Sequence, residues 1–222
     1  MESIVDVVNR FLGQEVISLL EKATKATDVL KADHRKVEAL FEQFTKASGA
    51  DKQVLLESIL KELRVHTTVE EELVYPILAQ QDADLAAEAK EEHHIVKLLM
   101  EELASLSANS PLEEPKVKVL SEIVKAHVKE EEHTIFPALR KTGVDLDDLG
   151  MRIKDRRGEL MMRSKATTIR QAKSANNSVK SKKMKGNGAV PKRARTNKEP
   201  GGAKRRAVRQ DTRSKKRAQK RS

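Results

Sequence analysis

The chain has 222 residues, with 44 Lys or Arg, 34 Asp or Glu, no Cys and no Trp, and a formal net charge of +10 at pH 7. Without cysteine there is no disulfide framework, no thiolate zinc site and no cysteine nucleophile, and the composition suits a reducing, cytoplasmic setting. The charge is unevenly spread: residues 161–222 hold 22 Lys or Arg against Glu199 and Asp211, a net of +20, which leaves 22 bases against 32 acids, a net of −10, in residues 1–160.

All six His, all four Phe and the single Tyr lie before residue 141, so the material for a core and a site is confined to the acidic body. The N-terminus lacks a basic leader and an uninterrupted apolar run, so no secretory signal is expected. No stretch approaches the length of a membrane span.

Apolar residues at Ile4, Val5, Val8, Phe11, Leu12, Val16, Leu19 and Leu20 predict an amphipathic leading helix over 3–22, packed against the body or a second subunit. Thr27 or Asp28 is the expected N-cap of a helix running to about Ala47, which the Ser48-Gly49 turn ends. The next helix spans about Asp51 to Gln80, with Pro76 bending or ending it. A third covers about Asp84 to Leu106. The Asn109-Ser110-Pro111 turn opens a fourth, which Lys141-Thr142-Gly143 closes. A short last helix is expected over 144–162. The domain reading is 1–26 for the leading helix, 27–162 for the bundle and 163–222 for a basic tail.

Two segments repeat within this frame. His66-Thr-Thr-Val-Glu70 and His127-Val-Lys-Glu-Glu131 each place a His four residues before a Glu, and each runs on to an aromatic-Pro pair, Tyr75-Pro76 and Phe136-Pro137. Residues four apart share one helix face, so each copy projects an imidazole and a carboxylate together. Upstream, Asp33-His34 and Glu92-His93 are each followed by apolar residues at +3, +6 and +7 from the His. A helix pair is used twice, about sixty residues apart.

Helix lengths test whether these groups meet. His34 lies 14 residues before Ser48 and His66 lies 15 after Asp51. At about 1.5 Å per residue the two stand level in an antiparallel pair. The same count levels Glu70 with His93, and His93 with His127 within boundary error. Four histidines and two glutamates at one height make a nitrogen- and oxygen-lined pocket suited to a pair of transition-metal ions; iron, manganese and zinc all accept such donors. His93 rather than neighbouring His94 matches the apolar spacing of His34, and His133 points to another face. Glu71, Glu72, Glu130 and Glu132 read as solvated or bracing groups rather than ligands, and Tyr75 and Phe136 as core.

The ordered set Asp33-His34-Arg-Lys-Val37, His66-x3-Glu70, Glu92-His93 and His127-x3-Glu131-Glu132 with Phe136-Pro137 resembles the hemerythrin-like, or HHE cation-binding, family over about residues 28–140. The resemblance implies an all-α, up-down four-helix bundle, here with an extra N-terminal helix, a short C-terminal helix and a disordered basic tail. It also implies a non-haem centre of two iron ions ligated by His34, His66, Glu70, His93, His127 and Glu131, with the two glutamates bridging. Oxygen-carrying hemerythrins place two His four apart on the third helix and an Asp five after the last His. Here Lys97 stands four after His93, and the last carboxylate follows at +4. The site therefore resembles a four-His, two-Glu variant with one more open position, which argues against plain oxygen carriage. It favours a module that binds or responds to O2, NO or peroxide, in redox sensing or iron handling, rather than a turnover enzyme. The rivals are a nucleic-acid-associated protein with a structural metal and a di-iron oxidase or peroxidase. A homo-oligomer is compatible with either.

The tail places Lys182-Lys183, Lys192-Arg193, Lys204-Arg205-Arg206 and Lys215-Lys216-Arg217 among Ser, Asn, Gly, Ala and Pro, with almost no large apolar residue. Such a segment cannot bury enough surface to fold alone. Its charge suits phosphate neutralisation on nucleic acid, and with no aromatic to stack bases it lacks the means for sequence-specific single-strand recognition. Nucleoid association, or nuclear import through Pro191-Lys192-Arg193-Ala-Arg195, is the corresponding location.

Overall fold

The structure is a computed structural model and describes residues 10–107 and 110–164. Every regular element among the described residues is helical: α1 (Gln14–Lys22), α2 (Ala26–Lys46), α3 (Gly49–Val69), α4 (Tyr75–Leu78), α5 (Ala83–Ser105), α6 (Glu113–Glu130), α7 (Phe136–Lys141) and α8 (146–164). A π-turn over Glu70–Val74 joins α3 to α4 in one continuous rod, and a second over Glu131–Ile135 joins α6 to α7. Helix α2 packs on α3 and α6, and α5 packs on the same two. The result is an antiparallel up-down ring of four rods, as the repeat predicts.

The rods pack through two separate apolar clusters. Leu40, Phe41, Leu55, Ile59, Met100 and Leu120 belong to the one at one end. Leu30, Val69, Leu78, Ile135, Phe136 and Leu139 belong to the other. Fully burying each such side chain is worth roughly 1.5–3 kcal/mol. His34, His66, Glu70, His93, His127 and Glu131 are all buried, and they occupy the layer where the two clusters part.

Several boundaries differ from expectation. The N-cap of α2 is Lys25, so Thr27 and Asp28 lie inside its first turn, with Thr27 buried. Pro76 neither ends nor sharply breaks the second rod, because the π-turn before it takes up the missing N–H and the bulk of the ring. The leading helix is interrupted at Gly13. Leu12 is buried in the first cluster, and Val16 and Ile17 pack against it. The expectation for residues 1–9 lies outside the described residues.

Helix α8 begins and ends two residues later than expected and is anchored in the second cluster by Leu149 and Ile153, both fully buried. It docks through Gly150: a Cβ there would stand 1.9 Å from the Thr24 carbonyl oxygen. The turn before it needs Gly143, whose φ of 76° is open to glycine at little cost. Among the described residues no helix is long and apolar enough to cross a membrane. The tail beyond residue 164, with its predicted disorder and all ten named basic residues, lies outside the described residues.

Candidate metal centre

Each half of the repeat builds its side of the site through the same local device. In α3, the His66 and Glu70 side chains meet at 3.1 Å between Nε2 and Oε2. In α6, His127 Nε2 lies 3.4 Å from Glu131 Oε1. Each Glu then opens a π-turn, in which Tyr75 N–H donates to the Glu70 carbonyl and Phe136 N–H donates to the Glu131 carbonyl. On an α-helix, residues five apart diverge by about 140°. The wider turn brings Glu70 and Tyr75, and likewise Glu131 and Phe136, onto the same inward face, all fully buried. The proline that follows each aromatic residue favours this wide turn, since it has no N–H to give an α-turn.

The other two histidines complete the ring. His34 Nε2 is 3.0 Å from Glu131 Oε2, and His93 Nε2 is 3.5 Å from Glu70 Oε2 and 2.9 Å from His127 Nε2. Two groups of four donors result, His34, His66, Glu70 and Glu131 in one and His93, His127, Glu70 and Glu131 in the other. Within each group the donor atoms lie within 4.8 Å of one another. His94 is exposed, and His133 is exposed with its Nδ1 donating to the Lys129 carbonyl at 2.7 Å. Neither approaches the centre.

A carboxylate faces the outer nitrogen of every imidazole. His34 Nδ1 donates to Glu132 at 3.0 Å, His93 Nδ1 to Glu71 at 3.1 Å and His127 Nδ1 to Glu92 at 2.5 Å. His66 Nδ1 stands 3.8 Å from Asp33. An ionised carboxylate can only accept, so it fixes the proton on Nδ1 and turns the Nε2 lone pair inward, as metal-binding histidines require. The pattern is a pseudo-twofold. Asp33 and Glu92 serve the histidine of their partner helix within a half, and Glu71 and Glu132 serve the histidine of the other half. Glu71 and Glu132 therefore brace the site. Glu72 instead pairs with Arg156 at 2.6 Å on the surface.

Charge in this layer is divided. Burial, and then the neighbouring Glu131 charge, pushes the Glu70 carboxyl well above its usual range. Burial opposes the ionised form of Glu131 too, but the imidazoles of His127 and His34 close beside it outweigh that and hold Glu131 well below that range. Burial opposes the charged form of His127, yet the nearby Glu131 charge and its bond to Glu92 carry it up to about 9. His34 is raised on the same balance, with Glu131 and Glu132 as partners. Burial lowers His66 and His93.

Both Glu70 oxygens, Glu131 Oε2 and the Nε2 atoms of His34 and His66 are buried without an aligned hydrogen bond. Orphaned buried carboxylates are costly, and cations coordinated between them and the imidazoles remove that cost. The donor set is what divalent first-row metals take. The residues fit the group.

Tyr75 adds to the sequence reading. It is core, but its hydroxyl donates to Glu131 Oε1 at 3.1 Å and lies 3.0 Å from His93 Nε2. A buried phenol must find a partner, and here the partners are ligand-type residues. Phe136, its counterpart, stacks on His34 with centroids 5.7 Å apart and carries no hydroxyl. The two sides of the centre are thus chemically unequal.

A small apolar cavity touches all four histidines and is walled by Val37, Leu63, Val96, Val124 and Val128. The cavity has about 20 Å³ of room, enough for one water or one molecule of about two non-hydrogen atoms. A more open groove of about 280 Å³ between α2 and α6 shares His34, Val124 and Val128 with it, and is rimmed by Arg35, Lys125, Lys129 and Glu132.

A four-helix bundle with a buried His4Glu2 layer defines a metal-binding protein of the hemerythrin class, and comparison with known proteins agrees. The model of the hemerythrin HHE cation binding domain matches residues 25–139. The chain belongs to that family. It is 33% identical over 115 residues to a protein named DNA nickase from Nostoc sp. strain PCC 7120, covering 51% of this chain and 33% of that one. It is 29% identical to an uncharacterized hemerythrin-like protein of Schizosaccharomyces pombe, covering 54% of this chain and 62% of that one. This chain therefore spans less than two thirds of either relative. The crystal structure of a hemerythrin HHE cation binding domain-containing protein from Mycobacterium kansasii superposes with a TM-score of 0.56 at 26% identity, over 62% of this chain and 88% of that one.

Proposed function

We propose that this protein holds two non-haem iron ions and responds through them to O2, NO or peroxide, in redox sensing or iron handling. The observation that carries this reading is the pair of four-donor groups sharing Glu70 and Glu131, with a small apolar cavity against all four histidines. His34 and His66 would hold one ion and His93 and His127 the other, with the two glutamates common to both. Bound iron would supply redox change and coordination of a small ligand.

The chain's own groups supply the rest. The four outer carboxylates orient the imidazoles, the valine walls exclude water, and Tyr75 holds a proton beside Glu131. The cavity confines any turnover to molecules of about two non-hydrogen atoms, peroxide included, so an oxidase acting on larger substrates is disfavoured. The test is iron reconstitution of the metal-free protein without oxygen, then absorption spectra after exposure to NO and to air. Two irons per chain and a spectrum changed by either ligand support the reading. Iron bound without any spectral response would reduce the centre to a structural role.

A second reading concerns nucleic acid, and it is compatible with the first. The net +20 of residues 161–222 supports electrostatic binding to DNA or RNA, and one relative carries the name of a DNA-acting enzyme. Lys182, Lys183, Lys192, Arg193, Lys204, Arg205, Arg206, Lys215, Lys216 and Arg217 are the proposed phosphate contacts.

A further inference from the structure

The family match ends at residue 139, yet α8, beyond it, sends Arg157 against the site. The guanidinium lies 2.8 Å from Asp33 Oδ1 and 3.6 Å from Glu62 Oε2. Glu62 is also bound by Lys36 at 2.6 Å, which fixes that end of the network. Asp33 is the carboxylate that faces His66.

The four carboxylate–imidazole pairs are not alike. Three close to between 2.5 and 3.1 Å, and only Asp33–His66 stands off at 3.8 Å. Solvent does not cause the difference, because the Asp33 side chain is 4% exposed while those of Glu132, Glu71 and Glu92 are 15%, 28% and 34% exposed. The cations beside Glu132 and Glu71 are Arg35 and Lys97, with side chains 42% and 36% exposed and so screened by water. The Arg157 side chain is only 18% exposed, and its pull on Asp33 is correspondingly stronger.

We propose that Arg157 is a positioning residue that draws Asp33 away from His66 and so makes the two metal positions unequal, the His34–His66 position being the weaker. A carboxylate that accepts from Nδ1–H orients the ring and raises its basicity, and such partners are worth about 10–100-fold in metal affinity. At 3.8 Å, His66 has little of that support. Substitution of Arg157 releases Asp33 to close on His66.

The inference rests on the proposed metal centre. Its test is titration of the metal-free full chain with Co(II), followed by visible absorption, for the wild type, Arg157→Met and Arg156→Met. Arg156→Met is the control: that residue lies on the same helix but pairs with Glu72 and Glu159. The expected result is two resolved steps in the wild type and in the control. In Arg157→Met the weaker step tightens about tenfold and the two steps converge. Should Arg157→Met fail to fold, Arg157→Lys, which keeps a charge but loses the fork, takes its place and shifts the weaker step in the same direction. No Co(II) bound by the wild type overturns the metal centre itself. Two bound ions whose steps are unmoved, or drawn further apart, in the Arg157 variants overturn the inference and leave the centre standing.

Discussion

Tyr75 donates its phenolic hydrogen to Glu131, a residue of the opposite half of the repeat, at 3.1 Å. Its counterpart Phe136 fills the same inward position five residues after a site glutamate, so a phenyl ring is already accommodated in this geometry. Tyr75→Phe should therefore keep the fold and the metal content, losing about 1–2 kcal/mol for the abandoned hydrogen bonds. It should also alter how the loaded centre's absorption bands respond to NO or peroxide. Unchanged kinetics of that response would reduce Tyr75 to packing.

The proton balance of the empty centre gives a pH dependence. His127, raised to about 9, binds its proton more tightly in the folded chain than in the unfolded one, where 6.5 applies. Its stabilisation of the metal-free protein is fully present below pH 6.5 and is lost as pH rises toward 9. His34 is shifted in the same sense, and lowered His66 and His93 act only below 6.5. Thermal unfolding of the metal-free protein should show stability falling between pH 6.5 and 9. Metal requires the deprotonated ring, so loading near pH 7 should release protons and tighten as pH rises. A metal-free protein that gains stability over that interval would contradict the assignment.

Two glycines of α8 should respond in opposite directions. Gly150→Ala places a methyl against the Thr24 carbonyl and should cost about 1–3 kcal/mol through displacement of the helix. Gly158→Ala meets nothing within 4 Å and should gain roughly 0.5–1 kcal/mol from helix propensity alone. Urea unfolding of the two variants separates these effects, and equal behaviour would place α8 elsewhere on the body.

For the basic extension, the expected behaviour is weak binding to duplex DNA, without sequence preference and falling steeply as salt rises. Removal of residues 165–222 should abolish it while metal content and spectrum persist, since every proposed ligand lies before residue 132. Binding retained by the truncated body would assign the contact to the bundle.

The four rods and the six central donors were legible because they depend on counts along single helices. The +4 spacing of His66 and Glu70, the apolar spacing after His34 and His93, and equal helix lengths to each turn need no tertiary information. Glu71 and Glu132 were harder, since an acidic residue beside a ligand reads equally well as a solvated one. Their recurrence at the same place in both halves was the available signal. The reach of the Tyr75 hydroxyl depends on a π-turn, which shifts the helical face by one residue and is marked only by the Pro that follows. Arg157 left no trace in the pattern, because its meeting with Asp33 is set by how α8 docks at Gly150.

The central claim is that Glu70 and Glu131 are shared between two metal ions. It is tested most directly by metal analysis of the purified wild type and of the Glu70→Ala, Glu131→Ala double variant, with the exposed His133→Ala as control. The expected result is two metal ions per chain in the wild type and the control, and fewer than one in the double variant. Two tightly bound ions in the double variant would contradict it.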